Sequence, residues 1–547
     1  MNWLVSEALT CWYSLSMYGL LYIIGVTLAW IIIASTIIHV IMDNRQPAKT
    51  MAWALVIFFI PVVGIIFYLF FGINHRRERL VSQRSLDQLT KRSMLSFVEQ
   101  QDFRVPERHR QMVDLFINQS MSLPFKDNSL DIFTDGYAFF PELLRDIAHA
   151  QHHIHLELYI IEDDALGNLV ADALMSKARE GVEVRLIYDD VGCWRVHHSF
   201  FERLRDAGVE VAPFLPVHFP SFTSKANYRD HRKLIVIDGA VGYIGGMNVA
   251  LRYVKGTGSQ PWRDTMWRIT GGAVYGIQRA FLVDWYFVDR TLITARHYYP
   301  QLSETLKNNC VVQIVTSGPT AHYPEIMQGY VRAILAARRY IYVETPYFLP
   351  NEPVLFALKT AAVGGVDVRI ICPLRSDAFF TDWASRSYLR ELHEAGAKIF
   401  LYQAGFMHAK VLVSDDTLST CGSTNLDIRS FENNFEVNAF VYDEGTALRM
   451  KKVFLDDQKQ SVELSTLPHR IHPRFTARLL ESLTRLVSPL LSSEAGLPIS
   501  QVIHLLPKRS ATAAVVPLPP KKSQTRSPSL DEALIIFSSN ASGFWVA

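Results

Sequence analysis

The chain has 547 residues, 49% of them apolar, with 55 Lys and Arg against 53 Asp and Glu for a formal charge of +2. That length supports several domains with sizeable cores, and so even a charge balance excludes a globally basic nucleic-acid binder. Five cysteines, at 11, 193, 310, 372 and 421, are scattered without a CxxC pair, which excludes a disulfide framework or zinc site and fits a reducing compartment.

A tail over 1–16 precedes two apolar segments. Met17 to Ile41 is apolar apart from His39 and a few Ser, Thr and Tyr, and Met51 to Gly72 carries no charge. Each is long enough to cross a bilayer core of about 30 Å, so a transmembrane hairpin is predicted over 17–73, with spans at about 17–41 and 51–72. No Lys or Arg precedes Arg45 and the apolar run is too long for the core of a signal peptide, so the hairpin is expected to be retained. Arg45 and Lys49 lie in its loop, while Arg76, Arg77, Arg79 and Arg84 follow the second span. The tail, which lacks Lys and Arg, argues for one orientation and the denser cluster for the other. The cluster is given more weight, which places both termini and the rest of the chain in the cytoplasm.

After a basic linker over 74–118 come two similar halves, 119–300 and 301–487. The first opens with a helical pattern near Pro141 and a strand from His153 to Tyr159; the second has a helix through Ala336 and a strand from Tyr340 to Thr345. Both continue into another helix and a matching strand, Gly181 to Ile187 and Gly365 to Ile371. Helices alternating with apolar strands predict an α/β fold. Between these elements the aromatic, Pro-containing loop Pro213 to Phe222 is suited either to a membrane interface or to ordinary packing. From about Ser492 the composition shifts to Ser, Ala and Pro, so 488–547 reads as a flexible extension.

Each half carries the spacing HxKxxxxD, as His231, Lys233 and Asp238 and again as His408, Lys410 and Asp415. The intervening residues, Leu234 to Ile237 and Val411 to Val413, are apolar, as in a strand buried on both faces. A period of two sets His and Lys side by side, an arrangement suited to an anionic phosphate: the ammonium holds the charge while the imidazole attacks or donates a proton. Asp238 and Asp415 complete the motif but lie an odd number of residues from their His, which points them to the other face, as structural or supporting groups. Each strand leads to a turn of small residues ending in Asn, Gly245-Gly246-Met247-Asn248 and Gly422-Ser423-Thr424-Asn425. Asn248, Ser423 and Asn425 are expected to meet phosphoryl oxygens. Glu157 and Glu344, at equivalent repeat positions, are expected either to orient the imidazoles or to end their strands in solvent. No cofactor or metal is expected, since the Lys pair supplies positive charge and no His/Asp/Glu cluster has ligand spacing.

These motifs resemble those of the phospholipase D superfamily, and within it the bacterial cardiolipin synthases. The likeness rests on HRKLIVIDGAVGYIGGMN from His231, HAKVLVSDDTLSTCGSTNLDIRSFENNFEVN from His408, WRD at 262–264 and ETPYFLP from Glu344, and runs from the first apolar segment to about Leu491. Met266 departs from the pattern, standing where His is expected after WRD. The resemblance implies two phospholipase D-like α/β halves packed with the active site between them. It further implies a bacterial inner-membrane enzyme that transfers a phosphatidyl group from one phosphatidylglycerol to another and releases glycerol, with His231 attacking phosphorus and His408 as acid and base. The residues alone do not decide between the two histidines. Phosphatidylglycerol, other phospholipids and the bilayer are the expected partners, with no nucleic acid; the oligomeric state is not encoded in any motif. A membrane-bound phospholipase D and a nuclease are the rival readings.

Overall fold

The computed structural model of the chain describes residues 2–43, 47–72, 105–217, 227–257, 262–293, 296–301, 310–486 and 488. Most of the basic linker, the loop 213–222 from 218 onward and the extension beyond 488 lie outside the described residues. The N-terminal helices and the α/β body belong to separate compact units.

In the N-terminal unit, α1 spans Asn2–Asp43, and its stretch Tyr18–Asp43, 26 residues with a mean hydropathy of 2.3, is long and apolar enough to cross a membrane. The second apolar segment departs from the expected single span. It forms α2, Pro47–Phe59, and α3, Pro61–Phe71, of 13 and 11 residues, each too short to cross alone. Pro61 has no N–H and disfavours helix at the preceding residue, and Ile60 accordingly leaves the helical region at φ −133° and ψ 66°. A Cβ on Gly64 would sit 2.8 Å from the Val56 carbonyl oxygen, so glycine lets α3 fold back closely on α2. Ile33 and Val40 of α1 pack with Ile57 and Tyr68 in a small shared cluster.

The α/β body contains two sheets with one topology. The first is built from β1 (Ser129–Phe133), β2 (His153–Leu158), β3 (Glu183–Asp189), β4 (Glu210–Phe214), β5 (Lys233–Ile237), β6 (Val241–Gly245) and β7 (Met266–Thr270), in spatial order β1-β7-β6-β5-β2-β3-β4. β2, β3 and β4 are parallel, with helices Ala165–Arg179 and His198–Asp206 between them in sequence, and the remaining pairings are antiparallel. The second half repeats this with β8 (Val311–Ser317), β9 (Tyr340–Glu344), β10 (Asp367–Pro373), β11 (Lys398–Tyr402), β12 (Val411–Ser414), β13 (Leu418–Gly422) and β14 (Asn434–Tyr442), in the order β8-β14-β13-β12-β9-β10-β11. Their registers also match. Met266 faces Gly245 and Phe133, and Asn438 faces Gly422 and Val315, so these triplets are equivalent.

The strands that follow His231 and His408 are apolar because both of their faces are covered. Leu234 and Val236 of β5, with Val411 and Val413 of β12, enter a core that also holds Ile277 of α4 (Ala273–Asp289) and Phe454 of α5 (Glu444–Lys459). The alternate residues, Ile235 and Ile237 in one strand and Leu412 in the other, enter two further cores. At roughly 1.5–3 kcal/mol per fully buried aliphatic side chain, either register slip by one residue would be resisted on both faces.

Short ladders then cross between the halves. Arg229–Asp230, just before His231, pairs with Asn434 and Phe435 at the start of β14, and Phe406–Met407, just before His408, pairs with Trp262–Arg263. Each histidine is therefore delivered against the other half.

Candidate active site

His231 donates its backbone N–H to the Phe435 carbonyl at 2.9 Å, and His408 donates to the Arg263 carbonyl at 2.7 Å. One residue beyond each carbonyl stands a carboxylate. Both Glu436 oxygens lie 3.1 Å from His231 Nδ1, and Asp264 Oδ2 lies 2.6 Å from His408 Nδ1. By the strand registers Asp264 and Glu436 are equivalent positions of the repeat. The pairs are reciprocal, with each half supplying one imidazole and the carboxylate for the other.

All four side chains are buried, at 3% and 0% exposure for His231 and Glu436 and 0% and 1% for His408 and Asp264. A carboxylate removed from water needs a compensating partner, and here the Nδ1–H supplies it. That hydrogen bond fixes the tautomer and leaves Nε2 of each ring for chemistry. Ser423 donates its hydroxyl to Glu436 and accepts the Val437 N–H at 3.0 Å, so it steadies the carboxylate behind His231.

Lys233 Nζ lies 2.8 Å from the His231 carbonyl oxygen and 5.0 Å from the Tyr159 ring, which also meets His231 edge-on. Lys410 Nζ lies 2.6 Å from the His408 carbonyl oxygen and over the edge of its ring, 2.9 Å from Nδ1 and 3.1 Å from Nε2. An incoming phosphoryl oxygen thus meets ammonium and imidazole together. Tyr253, Trp262 and Phe406 enclose the His408 ring, and Asn248 braces Tyr253 by donating to its hydroxyl at 2.8 Å while accepting the Ile160 N–H at 3.1 Å. Asn425 is fully buried, and its backbone N–H donates to Ser430 Oγ at 3.3 Å.

One pair of carboxylates behind the histidines sits as the odd spacing predicts, and another does not. Asp238 and Asp415, grouped with the catalytic motif by sequence, turn away into the starts of neighbouring strands. Asp238 accepts the N–H groups of Gln151, His152 and His153 at 2.8, 2.7 and 3.0 Å; Asp415 accepts those of Arg338, Arg339 and Tyr340 at 2.8, 2.9 and 2.9 Å. Both adopt positive φ, 53° and 52°, a region that Asp tolerates better than most residues. Burial raises the Asp415 pKa, but the three N–H groups and Arg108 outweigh it and hold the carboxyl below its usual range.

Glu157 and Glu344 do not orient the imidazoles; they face buried arginines. Glu157 lies 3.8 Å from Arg232, which also pairs with Asp284, and Glu344 lies 3.4 Å from Arg263, which also pairs with Asp457 at 2.8 Å. Burial dominates at both, pushing Glu157 well above the carboxylate range and Glu344 up to about 8. The orienting carboxylates, Asp264 and Glu436, are the residues that the sequence reading leaves unassigned. Aligning the repeats on Asn248 and Asn425 does not find them, since they lie at unequal distances downstream, and only the strand register equates them.

A family model described as cardiolipin synthase, phospholipase D-like domain, matches residues 143–259 and 330–458, and a phospholipase D-nuclease N-terminal model matches residues 28–72. The cardiolipin synthase of Oceanobacillus iheyensis is 39% identical over 487 residues, covering 86% of this chain and 98% of that protein. The major cardiolipin synthase of Bacillus subtilis strain 168 is 39% identical over 488 residues, with the same coverages. Among solved structures, the phosphatidylserine synthase of Haemophilus influenzae Rd KW20 shares the fold, with a TM-score of 0.55 at 15% identity over 70% of this chain and 100% of that one. The chain belongs to the cardiolipin synthase family of phospholipase D-like proteins.

Proposed function

We propose that the chain is a membrane-bound cardiolipin synthase that transfers a phosphatidyl group between two phosphatidylglycerol molecules through a phosphohistidine. The observation carrying this is the pair of buried, carboxylate-held imidazoles, each with a lysine ammonium beside it, in a chain with an apolar helix of membrane-crossing length. In the first displacement His231 Nε2 attacks phosphorus, the bond from phosphorus to the headgroup glycerol oxygen breaks, and His408 Nε2–H protonates that oxygen as glycerol leaves. In the second, His408 removes the proton from a glycerol hydroxyl of another phosphatidylglycerol, which attacks phosphorus and releases His231 with cardiolipin as product. Lys233 and Lys410 offset the charge on the non-bridging oxygens, and the Asn248 and Asn425 amides would add hydrogen bonds to them.

Lipid mass spectrometry on phosphatidylglycerol vesicles tests the reading. Wild type should yield cardiolipin and glycerol, and the His231→Ala and His408→Ala variants neither. Phosphatidic acid as the main product would mean that water completes the reaction and the protein is a phospholipase D. A phosphoenzyme that persists in His231→Ala and vanishes in His408→Ala would exchange the two roles.

The protein is read as a bacterial inner-membrane protein with both termini and the catalytic halves in the cytoplasm. For Met51–Gly72 to act as a second span, α2 and α3 must straighten at Pro61 into one element within the bilayer. A reporter fused at the catalytic halves that scored periplasmic would reverse this topology.

A further inference from the structure

The two halves are alike enough that each serves as a control for the other, and at one place they differ. α4 and α5 correspond residue for residue: Phe281 stacks on His155 at 4.4 Å, and Phe454 stacks on Tyr342 at 4.7 Å, His155 and Tyr342 being equivalent in the strand registers. On that alignment Phe287 corresponds to Gln460, Val283 to Asp456 and Asp284 to Asp457. The registers likewise equate Phe214 with Tyr402 and Phe435 with Arg263.

Beside α4 the space is filled. Phe214 lies 5.0 Å from both Phe435 and Phe287, ring to ring, and Arg232 approaches Asp284 across the Phe435 face. Beside α5 the guanidinium bound to Asp457 comes from position 263 itself, so no phenyl ring occupies that position, and Ala409 stands where Arg232 stands in the other half. With Gln460 also replacing a phenylalanine, an open pocket of about 350 Å³ remains, lined by Asp135, Trp262, Arg263, Tyr402, Asp456 and Gln460 among others. Its Trp262 wall also packs against His408, with ring centroids 5.1 Å apart.

The chemistry of the lining selects the occupant. Arg263 is committed to Asp457 and Glu344 and Lys459 to Asp456, so with Asp135 added the carboxylates outnumber the cations and a phosphate is repelled. The lining sets the indole of Trp262, whose N–H is held by Thr257, beside the Tyr402 phenol, which donates to the Gln460 amide at 3.4 Å, and the carboxylates. This flat face, edged by uncharged and acceptor groups, suits adjacent hydroxyls. We propose that this pocket binds a small uncharged polyol of the glycerol class, against the side of Trp262 that backs His408. That glycerol itself is the natural occupant rests on the cardiolipin synthase reading; the pocket and its ligand class do not.

Saturation-transfer NMR on the full chain in detergent micelles, with glycerol as the probe, tests this without requiring activity. Transfer to the glycerol protons is expected in the wild type and in His231→Ala and His408→Ala. Gln460→Phe, which installs the residue of the filled side, should reduce it at least tenfold, and the rim variant Asp456→Ala severalfold, with the melting temperature confirming that each is folded. Equal transfer in the wild type and both pocket variants, loss in the histidine variants, or no transfer at all would overturn the proposal. Stronger transfer to ethanolammonium than to glycerol would make the site one for amines and overturn the polyol assignment. A protein that shows pocket-dependent transfer but makes no cardiolipin would refute the enzyme reading alone.

Discussion

Replacing Glu436 by Gln keeps the shape of the group behind His231 and removes its charge. Both carboxylate oxygens lie 3.1 Å from Nδ1, with the pair almost wholly buried. At that separation and an effective dielectric constant of about 20, the attraction between a carboxylate and a fully charged imidazolium is about 5 kcal/mol. The imidazole becomes cationic only as Nε2 bonds to phosphorus, so this attraction is felt in the transition state and not in the resting enzyme. The Gln carbonyl can still accept the Nδ1–H, which retains part of the interaction and leaves a loss of about 3–4 kcal/mol, or roughly 10²–10³ in rate. Rapid-quench measurement with labelled phosphatidylglycerol should show phosphoenzyme formation slowed by that factor, with the melting temperature changed by only a few degrees. The matching Asp264→Asn variant should slow both glycerol release and consumption of the phosphoenzyme, since His408 acts in each step. A Glu436→Gln enzyme that forms phosphoenzyme within threefold of the wild-type rate would refute the claim that this carboxylate supports the attacking imidazole.

The remaining predictions concern groups behind the site. Asp238 should behave as a backbone clamp: Asn, which tolerates positive φ, should be milder than Ala, and Val should be the most destabilising, while kcat per folded molecule stays within a few-fold of wild type. A kcat that fell in Asp238→Asn while its melting temperature held would place this residue in the chemistry after all. Burial lowers His153 from 6.5 to about 4, so its neutral form is the one the fold favours. Its contribution is intact above the unfolded value and lost as pH falls from about 6.5 to 4, roughly 3 kcal/mol in total, and denaturant midpoints at pH 7 and 4.5 should differ less in His153→Gln than in wild type. Glu344, pushed up to about 8, is largely protonated at neutral pH, so Glu344→Gln should retain activity within threefold at pH 7. Arg263→Ala should be far more damaging, because it strands buried Asp457, and a loss in Glu344→Gln as large as that in Arg263→Ala would show that Glu344 is ionised.

Much of this molecule could be read from its sequence because repeats and buried strands leave local marks. The runs Leu234 to Ile237 and Val411 to Val413 are apolar since both faces are covered, and the matching motifs mark two related halves. Asp264 and Glu436 were hidden for the opposite reason. Their pairing with the histidines crosses between halves, and their distances from Asn248 and Asn425 differ because the connections before β7 and β14 differ in length. The corner at Pro61 escaped a hydropathy reading because apolarity reports what a segment can be buried in and is blind to where the helix breaks.

The reciprocal pairing has a consequence for how the halves work. His231 without Glu436, or His408 without Asp264, has no carboxylate to fix its tautomer, so neither half alone holds an imidazole ready for phosphorus. Symmetry of that kind would give two equal histidines, whereas the proposed reaction requires one to attack and the other to move protons. The surroundings differ: His231 is followed by Arg232 and donates its backbone N–H to Phe435, while His408 is followed by Ala409 and donates to Arg263. Phe435 belongs to a filled aromatic cluster, whereas Arg263 and the Trp262 packed on His408 line an open polar pocket. On the proposed reading, the histidine that exchanges protons with departing and arriving alcohols is the one whose Trp262 neighbour also lines the proposed polyol pocket, and the division of roles would then follow from what the repeats no longer share.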